Sequence, residues 1–210
     1  MESTATIRNG IDVDQLLGTI DAIQADPTQG SFTFRATSTW RGGTHNSGKI
    51  LGFTHAGEPD TTRTGDFTIE GDEPPVLLGN NAGPNAVELL LQALGFCYAV
   101  GYAANAAAQG IEISSLEFHV EGDLDARPFL GLEGPRPGFT AIRAQARVSS
   151  PNATPEQRQS LFRYVQDTSP VRDCLATPVR VETTPEPVST QARAMDMETM
   201  DVNLSEVGEG

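Results

Sequence analysis

The sequence predicts an α+β domain in which antiparallel strands surround one long, buried helix. Residues 85–109, NAVELLLQALGFCYAVGYAANAAAQ, form the longest weakly charged run in the chain. Segments in which apolar and polar residues alternate lie on both sides of this run, as in half-buried strands. Strands that cluster on either side of a central helix are typical of an α+β domain rather than of a parallel α/β sheet.

The apolar run carries the signals of one complete helix of about six to seven turns. Asn85 is a suitable N-cap, and Gly110 is typical of the residue just past a helix end. Apolar residues cover nearly the whole circumference, which indicates a helix buried on most sides. A transmembrane span is the alternative, since roughly twenty apolar residues can cross a bilayer. The flanks lack Lys and Arg, and Glu88 and Gln92 interrupt the first half, so we expect a core helix and no membrane association.

Three parts are predicted along the chain: an N-terminal helical arm (1–30), the main domain (31–183) and an acidic flexible tail (184–210). Asp12 caps the helix of the arm, and Thr154 with Gln157 gives a strong start to a later helix. We expect Val76, Leu77 and Leu78 to hold the irregular connection 72–84 against the domain. The predicted strands are 31–40, 49–55, 66–71, 113–123, 139–148 and 178–183, and the later helices are 155–168 and 171–176.

The charge balance excludes several classes of partner. A net charge of −14 argues against binding to nucleic acid or to anionic membranes, which need clustered Lys and Arg. Lys49 is the only lysine, and an acidic surface with so little lysine suits a cytoplasm of very high salt. The first 30 residues lack the pattern of a signal peptide, so we expect a cytoplasmic protein. Two cysteines and three scattered histidines favour neither a disulfide framework nor a metal site, and no cofactor is indicated.

Cys97, in the middle of the long helix, is the strongest candidate for chemistry. A cysteine is a nucleophile only when a nearby cation or helix dipole stabilises its thiolate, and is otherwise a small, inert hydrophobic residue. Arg41, beside a double-glycine turn, is the most plausible cation, although a solvated surface arginine is an equally good interpretation.

Two further residues are candidates with simpler structural alternatives. Glu88 lies in the first helical turn, where a carboxylate complements the helix dipole, and an active-site role is about equally favoured. Nine residues separate it from Cys97, which places the two on opposite sides of a continuous helix. Cys174 is either a packed thiol or a disulfide partner for Cys97, which would need Cα atoms within about 7 Å.

Four segments in this order resemble the OsmC/Ohr family over roughly residues 31–183. They are WRGGT (40–44), LLGNNAGPNAVELLLQALGFC (77–97), GIEISSLEFHVEGDLD (110–125) and SPVRDCLATPVRV (169–181). The resemblance implies an OsmC-like fold in which two protomers interlock as a homodimer, with antiparallel sheets around the central helices and active sites at the dimer interface.

The resemblance also implies a thiol-dependent reduction of organic hydroperoxides. Cys97 matches the peroxidatic cysteine of the family, which attacks the peroxide and becomes a sulfenic acid. Arg41 and Glu88 match the assisting arginine and glutamate, although Glu88 comes nine residues before the cysteine, as in the OsmC-like branch, rather than ten. Ser169 stands where a resolving cysteine precedes a proline in the family, and Cys174 follows five residues later.

These observations predict a hydroperoxide reductase in which Arg41 stabilises the Cys97 thiolate and Glu88 orients that arginine. Two routes of regeneration remain open: a disulfide with Cys174, or direct attack of an external thiol or dithiol on the sulfenic acid. The alternative is a non-catalytic dimer that binds a small hydrophobic ligand while Cys97 only packs.

Overall fold

The computed structural model of the protein describes residues 5–185. Most of the predicted elements are present and in the predicted order. The helices are α1 (Val13–Ala25), α2 (Ala86–Ala108), α3 (Pro155–Thr168) and α4 (Pro170–Ala176), and short 3-10 turns occupy Pro27–Gly30 and Pro75–Leu77. The strands are β1 (Ile7–Arg8), β2 (Ile11–Asp12), β3 (Phe32–Thr33), β4 (Ala36–Gly42), β5 (His45–Ile50), β6 (Thr54–His55), β7 (Glu58–Pro59), β8 (Phe67–Gly71), β9 (Ser115–Asp123) and β10 (Ala141–Ser149).

The N-terminal arm begins with a small β1–β2 hairpin and continues into α1. The Asp12 side chain accepts a hydrogen bond from the Gln15 backbone N–H, so the predicted cap is confirmed. Arg8 Nη1 donates to the carbonyl of Ala107 at 3.0 Å. The side chain of Asn9 makes two further hydrogen bonds just beyond the end of α2. Its Nδ2 donates to Ile111 O, and its Oδ1 accepts from Ile113 N–H. The start of the arm is therefore fastened to the C-terminal end of the central helix.

The first two predicted strands are each divided in two. The predicted strands 31–40 and 49–55 are each continuous in sequence, yet β3 and β6 form a small sheet with β7, whereas β4, β5 and β8 form another. The hairpin between β4 and β5 is also tighter than the predicted eight-residue turn, since His45 already pairs with Gly42. Gly42 and Gly43 have φ of 114° and 56°, and these positive values favour glycine and allow the chain to reverse at once.

The connection 72–84 is held in place differently from the prediction. Val76 and Leu78 are 85% and 88% exposed, so these side chains do not anchor it, and only Leu77 is half-buried. The buried carboxylate of Asp72 instead accepts backbone N–H groups from Glu73, Asn80 and Ala82. It also accepts the Thr44 hydroxyl at 2.6 Å. Polar groups at the base of the loop therefore organise it, because backbone N–H groups with no secondary-structure partner need other acceptors.

The central helix α2 buries one side rather than its whole circumference. Asn85 and Glu88 form a reciprocal capping box at its start. Along one face, Leu94, Tyr98, Tyr102 and Ala106 form the hydrophobic core with Leu161 and Val165 of α3. On the other face, Phe96 and Val100 are 65% and 69% exposed. The prediction of burial on most sides is therefore wrong for the described part of the single protomer, in which β9, β10, α3, α4 and the arm leave one face of the helix open.

By length and hydropathy alone, α2 is also the one helix in the described residues that could cross a bilayer. Core helices of soluble proteins satisfy the same criterion. The packing of its Leu94 to Ala106 face against α3 accounts for the apolar composition on that side.

The second half of the domain follows the prediction closely. Strands β9 and β10 pair in antiparallel register from Ser115–Ser149 to Asp123–Ala141. Their helix-facing side chains, including Phe118, Val120, Ile142 and Ala144, pack against the core. Helix α3 starts with the predicted capping box of Thr154 and Gln157. Helices α3 and α4 both pack against α2.

The predicted strand 178–183 is not formed. The chain divides into one unit over Met1–Thr177 and a second over Pro178–Gly210. Residues 178–185 have no regular secondary structure, and Val181 is 83% exposed. A strand needs a neighbouring strand for its backbone hydrogen bonds, and none pairs with this segment among the described residues. Most of the predicted acidic tail, residues 186–210, lies outside the described residues.

Candidate functional site around Cys97

Cys97 lies in the middle of α2 as a free, half-buried thiol. The neighbouring side chains Leu94 and Tyr98, which share the core face, are 3% and 4% exposed. The sulfur thus lies at the border of the hydrophobic core, where it is shielded from bulk water without being sealed off. Both features favour a selective thiol, because oxidation of a cysteine requires access as well as thiolate character.

The close polar partner of the sulfur is Ser169. The Sγ of Cys97 and the Oγ of Ser169 are 3.1 Å apart, although 72 residues separate them in sequence. Ser169 is 5% exposed and caps α4, where its Oγ accepts the Arg172 backbone N–H at 3.2 Å. Because the oxygen already accepts at the cap, its own proton is available for the sulfur. A hydroxyl donor at this position stabilises a thiolate, since hydrogen bonds to ionised acceptors are the stronger ones.

Tyr98 follows Cys97 in α2, and its pKa responds to burial and to the charge of Arg172. Burial raises the pKa of Tyr98 above its ordinary value, the positive charge of Arg172 lowers it, and Cys97 adds a smaller upward contribution. The burial effect dominates, so Tyr98 is a neutral phenol at physiological pH.

A cavity of about 480 Å³ opens next to Tyr98, the residue after Cys97, although Cys97 and Ser169 do not line it. It lies between the first half of α2, β10, α3 and α4, and Tyr98 and Arg172 both line it. The wall is mixed. Two arginines, Arg136 and Arg172, line it with Thr140 and Gln166, and the apolar part comes from Leu90, Leu94, Phe139, Ile142, Phe162 and Leu175. The volume and the lining suit a small, partly apolar molecule.

The other predicted site residues lie away from the sulfur in this protomer. Arg41 is an exposed residue near the end of β4, and its charge contributes to lowering the pKa of Glu70. Glu88 is exposed, and its Oε2 accepts the Asn85 backbone N–H at 2.9 Å, which is the helix-cap alternative. Cys174 is an exposed free thiol on α4. It follows Ser169 by five residues, which is about 7 Å along a helix axis.

Sequence reasoning noted Ser169 only as the residue at the family's resolving position, and it did not identify its contact with Cys97. The Ser-Pro pair before a short helix was a signal for an N-cap, but no local pattern reports a partner 72 residues away. Arg172 belongs to the segment 169–181 that carries the family resemblance, but its local sequence predicts no role for it. Among residues 5–185, no cluster of three or more His, Cys, Asp or Glu side chains could hold a metal ion.

The fold and the site define a class: an α+β protein with a half-buried cysteine on a central helix, hydrogen-bonded to a helix cap. The family model described as OsmC-like protein matches residues 79–184, which include α2, both strands β9 and β10, and the Ser169 cap. The chain belongs to the OsmC-like family. A comparison with curated proteins found no significant match.

Solved structures share the fold at low sequence identity. An OsmC-like protein from Mycoplasma pneumoniae is 19% identical, with a TM-score of 0.52 over 70% of this chain and 89% of that chain. An organic hydroperoxide resistance protein OsmC from Legionella pneumophila is 16% identical, with a TM-score of 0.50 over 71% and 93%. An OsmC-like protein of unknown function from Vibrio cholerae is 14% identical, with a TM-score of 0.50 over 74% and 99%. The predicted α+β, OsmC-like fold is thus confirmed.

Proposed function

We propose that the protein is a thiol-dependent hydroperoxide reductase that uses Cys97 as its peroxidatic cysteine. The observation that carries the proposal is the 3.1 Å contact between Cys97 Sγ and Ser169 Oγ, together with a cavity that is lined by the adjacent residue Tyr98. The contact supplies a hydrogen-bond donor to the thiolate, and the cavity offers room for the organic part of a peroxide. Membership of the OsmC-like family supports the same reaction class, since a structural relative is named as an organic hydroperoxide resistance protein.

The reaction begins when the Cys97 thiolate attacks the terminal oxygen of the hydroperoxide. An S–O bond forms, the O–O bond breaks, and the organic part leaves as an alkoxide that takes up a proton to become an alcohol. Cys97 is then a sulfenic acid. The Ser169 hydroxyl is placed to donate to the sulfur before the attack, and no metal or cofactor takes part in this sequence.

An external thiol or dithiol regenerates the enzyme. The first external thiol attacks the sulfenic sulfur, so that an S–S bond forms and water leaves, and the second thiol then releases the reduced Cys97. This route fits the replacement of a resolving cysteine by Ser169, because a hydroxyl cannot form a disulfide. Cys174 is the alternative resolving residue, and its use would require a rearrangement of α4, since Ser169 rather than Cys174 occupies the position next to the sulfur.

A homodimer would bring Arg41 and Glu88 into the site. Two apolar surfaces are exposed in the protomer and would be covered by a second copy. One is the face of α2 with Phe96 and Val100, and the other includes Phe34, between β3 and β4, and Trp40 on β4. In such an assembly, we propose that Arg41 stabilises the thiolate and that Glu88 orients this arginine.

The experiment that tests the reductase uses the reduced full-length protein and one equivalent of cumene hydroperoxide, with a sulfenic-acid trap and mass spectrometry of both cysteines. Rapid modification of Cys97 alone supports resolution by an external thiol, whereas a disulfide between Cys97 and Cys174 gives Cys174 the resolving role. Cys97→Ser and Cys174→Ser are the matched controls. No thiol is added to the protein sample. If Cys97 stays reduced there while the same hydroperoxide oxidises dithiothreitol in a separate, protein-free sample, the reductase proposal fails.

A second candidate is a non-catalytic binding protein for a small hydrophobic ligand. The apolar part of the wall of the 480 Å³ cavity is the observation that favours it. An inert Cys97 together with an apolar molecule that co-purifies in stoichiometric amount, as detected by native mass spectrometry, would support this function over the reductase.

A further inference from the structure

A second cavity lies on the far half of the central helix, next to α3, and no step of the proposed reaction uses it. Its volume is about 500 Å³, and it is open to solvent. One side is lined by residues 144–148 of β10, and the other by the first two turns of α3, with Pro155, Arg158, Gln159 and Phe162. Tyr102 of α2 lines it from the core side. Tyr102 and Phe162 thus border it where α2 and α3 meet.

The feature that distinguishes this cavity is an unpartnered hydroxyl. Tyr102 is 1% exposed, and its phenolic oxygen has no hydrogen-bond partner within residues 5–185. A buried hydroxyl without a partner costs free energy, so such groups are normally satisfied by the protein, by water or by a ligand. Burial raises the pKa of Tyr102 above its ordinary value, so the group is protonated at neutral pH and is a hydrogen-bond donor. Tyr102, which lines the cavity, therefore carries a hydrogen-bond donor that has no acceptor among the described residues.

A cation stands next to this donor. Arg158 is half-buried, and its charge acts on Tyr102 by opposing the effect of burial on the pKa. One guanidinium nitrogen, Nη1, donates to the carbonyl of Ala153 at 2.8 Å, which fixes the side chain against the start of α3. Within residues 5–185, Arg158 has no carboxylate within salt-bridge distance, although Glu156 in the same turn feels its charge. The remaining donors of the guanidinium fork are thus available to an anionic oxygen.

The N-terminal end of α3 also favours a negatively charged ligand in this cavity. The N-terminal turn of α3, a helix of 14 residues, borders the cavity, and the start of a helix favours negative charge. Beside these donors, Phe162 and Val148 supply an apolar surface. A buried hydroxyl donor, an arginine and an apolar wall together match a carboxylate that carries a short hydrocarbon or aromatic group better than they match an inorganic anion.

We propose that the cavity between α3 and β10 binds a small organic carboxylate, whose oxygens accept from Tyr102 Oη and from the Arg158 guanidinium. This site adjoins the cavity lined by Tyr98 and Arg172, with which it shares Ala144 and Phe162, and its occupancy does not depend on the peroxide reaction. The strongly negative net charge of the chain opposes anion binding at long range, so the affinity rises with ionic strength until the bulk repulsion is screened.

The test is isothermal titration calorimetry of the full chain with sodium benzoate, with sodium phosphate as the inorganic comparison, in a background of sodium chloride at constant ionic strength. Tyr102→Phe removes one oxygen and keeps the ring, and we expect it to weaken benzoate binding about tenfold, the effect of one hydrogen bond to a charged acceptor. Arg158→Gln is expected to weaken it at least as much. Tyr164→Phe is the matched control, since Tyr164 is 52% exposed on the same helix α3, and it should bind as the wild type does.

Thermal melting in chloride alone shows that the variants fold. Without ligand, Tyr102→Phe is expected to melt at the same temperature as the wild type or higher, because the unpartnered hydroxyl is gone. Absence of benzoate binding to the wild type overturns the proposal, as does binding of phosphate without benzoate or unchanged benzoate binding by Tyr102→Phe. In the first of these cases, water alone satisfies the hydroxyl.

Discussion

Ser169 Oγ lies 3.1 Å from Cys97 Sγ and at the same time caps helix α4. One hydroxyl therefore joins the thiol on the central helix to the corner between α3 and α4. The two contacts have different consequences, because the cap contributes to folding stability and the sulfur contact contributes to thiol reactivity. Comparing Ser169→Ala with a variant that loses a different helix cap separates the effect on stability from the effect on thiol reactivity.

Ser169→Ala should slow the oxidation of Cys97 by an organic hydroperoxide. The loss of a hydrogen bond to a thiolate is expected to reduce the second-order rate constant about tenfold. The variant also loses an N-cap, at a cost of about 1 kcal/mol in the free energy of unfolding. Stopped-flow measurement of sulfenic-acid formation, with thermal unfolding in parallel, gives both numbers.

Thr154→Ala is the matched control for this variant. Thr154 caps α3, where its side chain accepts the Gln157 N–H, and its contacts do not include Cys97. It should lose a similar amount of stability and keep the oxidation rate of the wild type. Equal rates for Ser169→Ala and the wild type would show that the hydroxyl does not assist the thiol.

Ser169→Cys should create a disulfide with Cys97. The two side-chain atoms are already in contact in the wild type, so only a small adjustment is needed to bring two sulfurs to bonding distance. After one equivalent of cumene hydroperoxide, intact mass spectrometry should show the loss of two hydrogens, reversed by a dithiol. The same substitution in a Cys97→Ser background should show no such loss, and a Cys174→Ser background should leave it unchanged. A persistent sulfenic acid in Ser169→Cys would contradict the expected geometry.

Asp72→Asn should lower stability in a pH-dependent manner. Hydrogen bonds from the Thr44 hydroxyl and from three backbone N–H groups hold the pKa of Asp72 well below its ordinary value. Because the folded-state pKa is depressed, the stabilisation is complete above the unfolded pKa of about 4 and is lost as the pH falls through the folded-state value.

Melting temperatures of the wild type and Asp72→Asn, measured by circular dichroism from pH 3 to pH 8, test whether the stabilisation by Asp72 is lost as the pH falls. The gap between wild type and Asp72→Asn should be widest above about pH 5 and should narrow below about pH 4. Asp66→Asn, at an exposed position just before β8, is the matched control and should melt as the wild type does at every pH. A gap that stays constant with pH would mean that the charge of Asp72 is not what stabilises the loop.

Phe96→Glu should dissociate the proposed dimer. Phe96 is 65% exposed on the open face of α2, and a charge buried in an apolar interface would be costly. Light scattering at micromolar concentration should give a dimer mass for the wild type and a monomer mass for the variant. Tyr164→Glu, at a residue 52% exposed on α3, should remain a dimer. A monomeric wild type would remove the basis for assigning Arg41 to the Cys97 site.

The melting temperature should rise between low and molar KCl. The net charge of −14 means that carboxylates on the folded chain repel one another, and salt screens this repulsion. Differential scanning calorimetry over a KCl series, with sucrose of matched water activity as the control for non-ionic effects, measures the trend. A flat or falling curve would argue against adaptation to high salt.

Features with signals only a few residues apart were predictable from the sequence. Asp12, Asn85 and Thr154 mark the starts of α1, α2 and α3 because each cap bonds to a backbone N–H within three residues. The nine-residue strands β9 and β10 likewise follow from alternation. The family resemblance identified Cys97 and the fold, but it could not show the contact of Cys97 in this chain.

Other features depend on which distant segments meet. The alternation over 31–40 could not reveal that the chain changes sheets between Thr33 and Ala36, because side-chain period says nothing about the pairing partner. The alternation of 178–183 suggested a strand, but a strand forms only where another edge supplies hydrogen bonds. Asp72 gave no sign that four donors would converge on its carboxylate.

The sequence by itself therefore determined the α+β class, the helix starts, the central apolar helix and the thiol at its middle, because propensity, capping and periodicity are local properties. Only the tertiary structure decided that Ser169 contacts Cys97, that Asp72 organises the loop before α2, and that Tyr102 is buried without a partner. The Ser169 and Tyr102 features depend on burial of the Leu94 to Ala106 face of α2 against α3 and β9, which joins residues about 55 to 71 positions apart in the case of α3. The Asp72 cluster depends on Thr44 meeting a loop that begins 28 residues later.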